Sequence, residues 1–216
     1  DPGFIAYRSM IDYMGAKAVA LPHRMENNFS FDAEELLSLI NEKTRLIILN
    51  SPANPTGGVV PHQELDKLAK GLKKFPNVFI LSDEIYSRIL FDGHKHSSLL
   101  TFPEVKDRVI VLDGWSKTYS MTGWRLGYGI FPKSIFKYAE KLAINCHSCI
   151  SIPTQLAGIE ALKGSQDSVN NMIQEFQERR DFLVTKLNEI KDVSCVSPGG
   201  AFYVFPKVNK KNQKSK

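Results

Sequence analysis

The chain has 216 residues, of which 43% are hydrophobic and 24% charged, a balance that suits a folded globular domain and excludes collagen, coiled coil and disorder. Its 28 basic and 23 acidic residues give a formal charge of +5, yet five lysines (Lys207, Lys210, Lys211, Lys214 and Lys216) crowd the last ten positions. Without that tail the body is neutral, so nucleic acid is not an expected partner. No apolar run approaches the ~20 residues of a membrane span, so no membrane partner is expected either.

The opening, Asp1-Pro2-Gly3-Phe4, is neither a signal peptide nor an initiator methionine and reads as a chain entered in mid-sequence. Three cysteines cannot all pair, which points to a reducing, cytoplasmic setting.

In chain order, Leu46–Asn50 (LIILN) is the first buried strand. Pro61 to Lys74 follows as a helix, with proline suiting its first turn and Leu65, Leu68, Ala69 and Leu72 sharing a face. Val78–Ser82 and Val109–Asp113 are further buried strands, rich in Val and Ile, and Leu126–Phe131 is another. Strand, helix and strand at this spacing predict an α/β fold with a mostly parallel sheet. Helices are expected over 133–146, 153–163 and 166–191, the last with Ser165 and Asp167 at its start. Pro198-Gly199-Gly200 then predicts a turn into a strand over Ala201–Phe205.

Polar constellations follow three of these strands, where open α/β sheets bind ligands. The first runs from Asn50 to Gly58 and, taken alone, reads as a turn-rich loop. The second, Ser82-Asp83-Glu84-Ile85-Tyr86, ends an apolar strand on a carboxylate. That carboxylate either meets a cation or donors or caps a helix. The third spans Asp113 to Tyr128. Lys117 and Arg125 are the only charges between Ser116 and Phe131, flanked by Trp115, Tyr119, Trp124 and Tyr128. A nucleophilic amine needs such a partly desolvated setting. Cys146-His147-Ser148-Cys149 lacks a second ligand pair for zinc and reads as packing cysteines in a helix. His94-Lys95-His96 reads as a solvated loop.

Taken together, Asn54-Pro55-Thr56-Gly57, Asp83-Glu84-Ile85-Tyr86, and Ser116-Lys117 through Gly123-Trp124-Arg125-Leu126-Gly127 resemble the class I/II aminotransferases, the fold type I pyridoxal-phosphate enzymes. The likeness runs from Asp1-Pro2-Gly3-Phe4 to Gly200-Ala201-Phe202-Tyr203. It implies pyridoxal 5'-phosphate as cofactor and a three-layer sandwich around a mostly parallel sheet. Residues 1–165 are then the cofactor-binding large domain. Residues 166–216 are the interdomain helix and the start of a partial C-terminal small domain.

The resemblance also implies roles. Lys117 holds the cofactor as a Schiff base and later shuttles a proton. Asp83 pairs with the pyridine nitrogen, Asn54 and Tyr86 donate to the phenolic oxygen, and Arg125 clamps the phosphate. Phe4 stacks on the cofactor ring, with Tyr7 a weaker candidate nearby. Relatives carry a phosphate-binding hydroxyl three residues before the lysine; this chain has Gly114 there, and Ser116 is the substitute. The family's upstream phosphate loop and downstream substrate-carboxylate arginine have no counterpart, so the chain reads as an internal piece that by itself is expected to be inactive. The implied activity is transfer of an amino group between an amino acid and a 2-oxo acid, by a homodimer. The alternatives are a lyase on the same cofactor (a carbon–sulfur β-lyase or a cyclopropane-forming synthase) and the sensor domain of a transcription regulator.

Overall fold

The computed structural model describes residues 1–209, so Lys210, Lys211, Lys214 and Lys216 lie outside the described residues. Four strands form the main sheet: β1 (Leu46–Asn50), β2 (Phe79–Asp83), β3 (Val109–Gly114) and β4 (Gly127–Ile130), in that spatial order. The first three are parallel, and β4 adds an antiparallel edge. Their register sets Asn50 against Asp83 and Asp83 against Leu112. The polar ends of three apolar strands are therefore level along one rim of the sheet.

Two short helices precede β1: α1 (Ile5–Tyr13) and α2 (Ala33–Ser38). Neither was legible as an element in the sequence, because α1 buries no residue and α2 has fewer than two turns. The α2 start is fixed by Asp32, whose side chain accepts from the Glu34 and Glu35 amides. Helix α3 (His62–Gly71) makes the crossover from β1 to β2 and presents Leu65, Leu68 and Ala69 to the sheet, where Leu68 and Ile80 are fully buried. The predicted Pro61–Lys74 helix thus ends early, its last turn tightening to 3₁₀ over Leu72–Lys74. Arg108 closes that end, donating to the Leu72, Phe75 and Val78 carbonyls at 2.8, 2.6 and 2.9 Å.

A single helical turn, α4 (Trp115–Thr118), follows β3, and after β4 the chain is helical, as its 3.6-residue periodicity predicts: α5 (Lys133–His147), α6 (Ile152–Lys163) and α7 (Asp167–Asn188). The start of α7 differs in detail from the sequence reading. Gln166 is the N-cap residue, while Ser165 and Asp167 bond to each other at 2.7 Å. Cys146 and Cys149 are exposed, so they are not packing cysteines; Cys146 lies in the last turn of α5 and Cys149 just beyond its end.

The expected strand over Ala201–Phe205 does not form. A two-stranded antiparallel sheet pairs β5 (Val193–Ser194) with β6 (Lys207–Val208) instead. Between them Pro198 to Tyr203 runs back as a strap across the main sheet's polar rim. Its hydrogen bonds go to loops there: Gly200 N–H donates to Gly57 O at 3.1 Å, Phe91 N–H to Gly199 O at 2.9 Å and Ala201 N–H to Ile89 O at 2.9 Å. Backbone pairing to two separate segments, around Gly57 and over Ile89–Phe91, competes with strand formation and wins because these groups are satisfied in place. Arg180 of α7 locks the strap's start. Buried at 6% exposure, it donates to Pro198 O at 3.0 Å and forks onto the Asp92 carboxylate at 2.5 and 2.9 Å.

Candidate active site at the carboxyl rim of the sheet

Each strand end hands one polar residue to a shared space. At the end of β1, Asn50 ties two loops together: its amide donates to Asp83 O at 3.0 Å and its side-chain oxygen accepts the Asn54 N–H at 2.8 Å. That pair of bonds aims Asn54 inward. At the end of β2, one Asp83 oxygen accepts the Ile85 N–H at 3.2 Å, and the other accepts the Tyr7 hydroxyl. Asp83 therefore caps a tight turn, not a helix. Tyr86, three residues on, is carried over the same rim and is 3% exposed.

Beneath this turn lies a buried carboxylate that sequence reading passed over. Glu84, 6% exposed, accepts from Ser82 Oγ at 2.9 Å and Ser98 Oγ at 2.8 Å, and pairs with His96 Nε2 at 2.8 Å. His96 is thus not part of a solvated loop; it pins residues 94–98 behind the Asp83–Tyr86 turn. A buried acid needs this many partners to stay in place.

Lys117 sits on the α4 turn after β3. Its Nζ lies 6.0 Å from the Tyr86 ring centroid and 5.6 Å from that of Phe202, a cation held against two aromatic rings. Phe202 and Tyr203 both come from the strap. Tyr203 Oη is 2.6 Å from Tyr86 Oη and accepts from Asn54 Nδ2 at 3.2 Å. Burial pushes the Tyr86 phenol above its ordinary value; Tyr7 is pushed up by burial and by Asp83. Both phenols therefore keep their protons as hydrogen-bond donors.

Of the residues singled out in the sequence, Asn54, Asp83, Tyr86 and Lys117 come together at this rim. Phe4 reaches it indirectly: it caps α1, is 43% exposed and meets the Tyr7 ring edge-on at 5.5 Å. Arg125 is exposed, with φ 56°, and its guanidinium donates to Thr122 O at 2.9 Å. Among the described residues, no hydrogen bond links Arg125 or the Ser116 hydroxyl to the other members. Gly114 has a steric cause here: a Cβ at that position lies 2.8 Å from Leu126 O of the strand-β4 approach, so this backbone leaves no room for a hydroxyl-bearing side chain.

Three members were missed or undervalued. Tyr7 is a partner of Asp83 before it is anything aromatic, Asn50 was seen only as a strand end, and Tyr203 only as the end of a likeness. Long-range partners such as Asn54 and Tyr203 leave no local spacing to read.

A mostly parallel sheet with helices, and ligand-type polar groups gathered at its carboxyl rim, defines an α/β protein of the kind that binds its ligand at strand ends. The family model for aminotransferase class I and II matches residues 1–216, and the chain belongs to that family. It is 40% identical over 210 residues to the "Probable aspartate/prephenate aminotransferase" of Rickettsia prowazekii, covering 97% of this chain and 53% of that protein. It is 38% identical over 215 residues to the aspartate aminotransferase of a Bacillus species (strain YM-2), covering 99% and 55%. The crystal structure of the aspartate aminotransferase from Rhizobium meliloti superposes with a TM-score of 0.91 at 34% identity, covering 95% of this chain and 52% of that one. The chain spans about half the length of the curated relatives it matches.

Proposed function

We propose that this chain forms the core of a pyridoxal-phosphate-dependent aminotransferase that moves an amino group between an amino acid and a 2-oxo acid. The observation that carries the reading is the meeting of Lys117, Asp83, Asn54 and Tyr86 at one rim, in a member of this family. The donor set suits the cofactor: an amine against aromatic faces, a carboxylate for a ring nitrogen, and an amide and a phenol converging on one oxygen position.

When bound, the cofactor supplies an electron sink for bond breaking at the amino acid's α-carbon. The protein's own groups do the rest. Lys117 Nζ would hold the cofactor's carbonyl carbon and, once exchanged for substrate, take and return the α-proton. Asp83, oriented by Tyr7 and the Ile85 amide, would keep the ring nitrogen protonated. Asn54 and Tyr86 would donate to the phenolic oxygen. Arg125 would turn its fork of donors to the phosphate, with Ser116 beside it, and Phe4 would lie against the ring.

The names of the relatives point to aspartate and prephenate as substrates to try first. A homodimer in the cytoplasm belongs to the same reading. It is supported by the apolar side chains that α5 and α6 leave exposed, among them Phe136, Leu142, Leu156 and Leu162. No helix among the described residues is long and apolar enough to cross a membrane. The division into residues 1–165 and 166–216 is part of it too, supported by the separate two-stranded sheet after α7.

The test is a panel of amino acids, with and without 2-oxo acid acceptors, on the full-length protein loaded with cofactor. Acceptor-dependent formation of a new 2-oxo acid supports the proposal. Release of pyruvate and ammonia without an acceptor overturns it in favour of a lyase.

A further inference from the structure

The strap contributes more than a wall. Tyr203 is 149 residues from Asn54 and 117 from Tyr86 in sequence, yet its hydroxyl is bonded to both. Its place is rigidly set. The strap's amides and carbonyls are bonded to Gly57, Ile89 and Phe91, and Ala201 beside Phe202 is fully buried. The aromatic packing is equally constrained: Tyr86 meets Phe202 and Tyr203 edge-on at 5.3 and 5.7 Å, and Phe176 of α7 backs Phe202 at 5.6 Å.

The donor inventory fixes the direction of the bond between Asn54 and Tyr203. Asn54 gives its amide hydrogen to Tyr203 Oη, since an amide nitrogen cannot accept. Either hydroxyl can donate across the 2.6 Å contact; when Tyr203 gives its hydrogen to Tyr86 Oη, the Tyr86 hydrogen is left for a third oxygen. A hydroxyl that accepts a hydrogen bond is polarised into a better donor, an effect worth a tenth to a third of the bond. We propose that Tyr203 is a positioning residue: from the strap, it orients and strengthens Tyr86 as a donor and so tunes the protonation of the group held on Lys117. This rests on the functional reading above and extends it to a residue outside the main sheet's own loops.

The titratable groups that face Tyr86 are Asp83 from β2, Lys117 from α4, Tyr7 from α1 and Tyr203 itself. Of these, Tyr203 is the one whose hydroxyl bonds to Tyr86 among the described residues. The sign of the effect is fixed by charge. A strong donor to the cofactor's phenolic oxygen spreads that oxygen's negative charge, making it a poorer partner for the neighbouring protonated nitrogen. Weaker donation raises the pH at which that nitrogen loses its proton.

The experiment uses the full-length protein, loaded with pyridoxal 5'-phosphate without substrate, and reads the pH midpoint of the bound cofactor's absorbance change. Tyr203→Phe removes one oxygen and keeps the ring packing. Its midpoint is expected to rise by about half a pH unit, and Tyr86→Phe should raise it as well. Adding Tyr203→Phe to Tyr86→Phe should then shift nothing further, because the donor it acts through is gone. A Tyr203→Phe midpoint equal to that of the unsubstituted protein, or a shift that persists in the Tyr86→Phe background, overturns the proposal. Lys117→Ala separates the two levels. If the pH-dependent band survives it, the functional reading itself is wrong; if the band needs Lys117 but ignores Tyr203, only the positioning role fails.

Discussion

Gly57→Ala tests whether the strap is held as tightly as its geometry demands. Gly57 has φ +67°, a left-handed conformation that costs a residue with a Cβ about 1–2 kcal/mol. The added methyl also has nowhere to go. It falls 2.3 Å from Pro198 Cβ, 2.8 Å from Gly200 O and 3.3 Å from Tyr203 O, where carbon contacts prefer ~3.5–4.0 Å. Forcing such a group into a packed place costs about 1–3 kcal/mol more. The opposite side gives no slack, because Gly57 O accepts the Gly200 amide at 3.1 Å and Gly57 N–H donates to Ala53 O at 2.8 Å. The two penalties together predict a loss of about 2–5 kcal/mol. Urea unfolding of the full-length protein and its Gly57→Ala variant, with the m-value checked for constancy, measures this directly. A variant within about 0.5 kcal/mol of the parent, the range of an ordinary surface change, would refute the reasoning. It would mean the strap rides loosely over the rim.

Three further expectations follow from the same structure. Leu68→Ala, at a fully buried site between α3 and the sheet, should cost about 2–5 kcal/mol in the same unfolding assay. His23 is held neutral by burial, its pKa lowered to about 4 from 6.5. The unfolded chain therefore gains a proton that the folded chain refuses, and stability should fall as pH drops from about 6.5 towards 4. Its slope approaches one proton's worth, ~1.4 kcal/mol per pH unit; unfolding followed against pH should show that slope, and His23→Gln should remove it. Asp83→Asn keeps the shape of the β2 end but removes its charge, so in the holoenzyme kcat should drop by about 100-fold or more. A smaller loss in steady-state assays would show that Asp83 does not act through charge.

Much of the sheet was legible because buried strands announce themselves. LIILN and VIVLD are uninterrupted apolar runs ending in a polar residue, and the site gathers at and just beyond such strand ends, with Asn50 closing the first and Lys117 following the second. The α3 face was legible for the same reason, its leucines recurring at helical spacing. Elements with no apolar rhythm stayed hidden, α1 above all. The strap was misread as a strand because Ala201–Phe205 has the right residues for one; the bonds that prevent it reach back to Gly57 and Ile89, far away in sequence. The candidate site divides along the same line. Asp83 and Lys117 stand out locally, as charges closing apolar strands. The connections among them, from Tyr7 to Asp83 and from Tyr203 to Tyr86 and Asn54, arise only when distant segments are packed together.

The most direct test of the account's central claim is to reduce the cofactor-loaded, full-length protein with borohydride and locate the modified residue by peptide mass spectrometry. The account predicts a single cofactor-mass adduct on Lys117, absent from the Lys117→Ala protein. An adduct on another lysine, or no adduct at all, would contradict it.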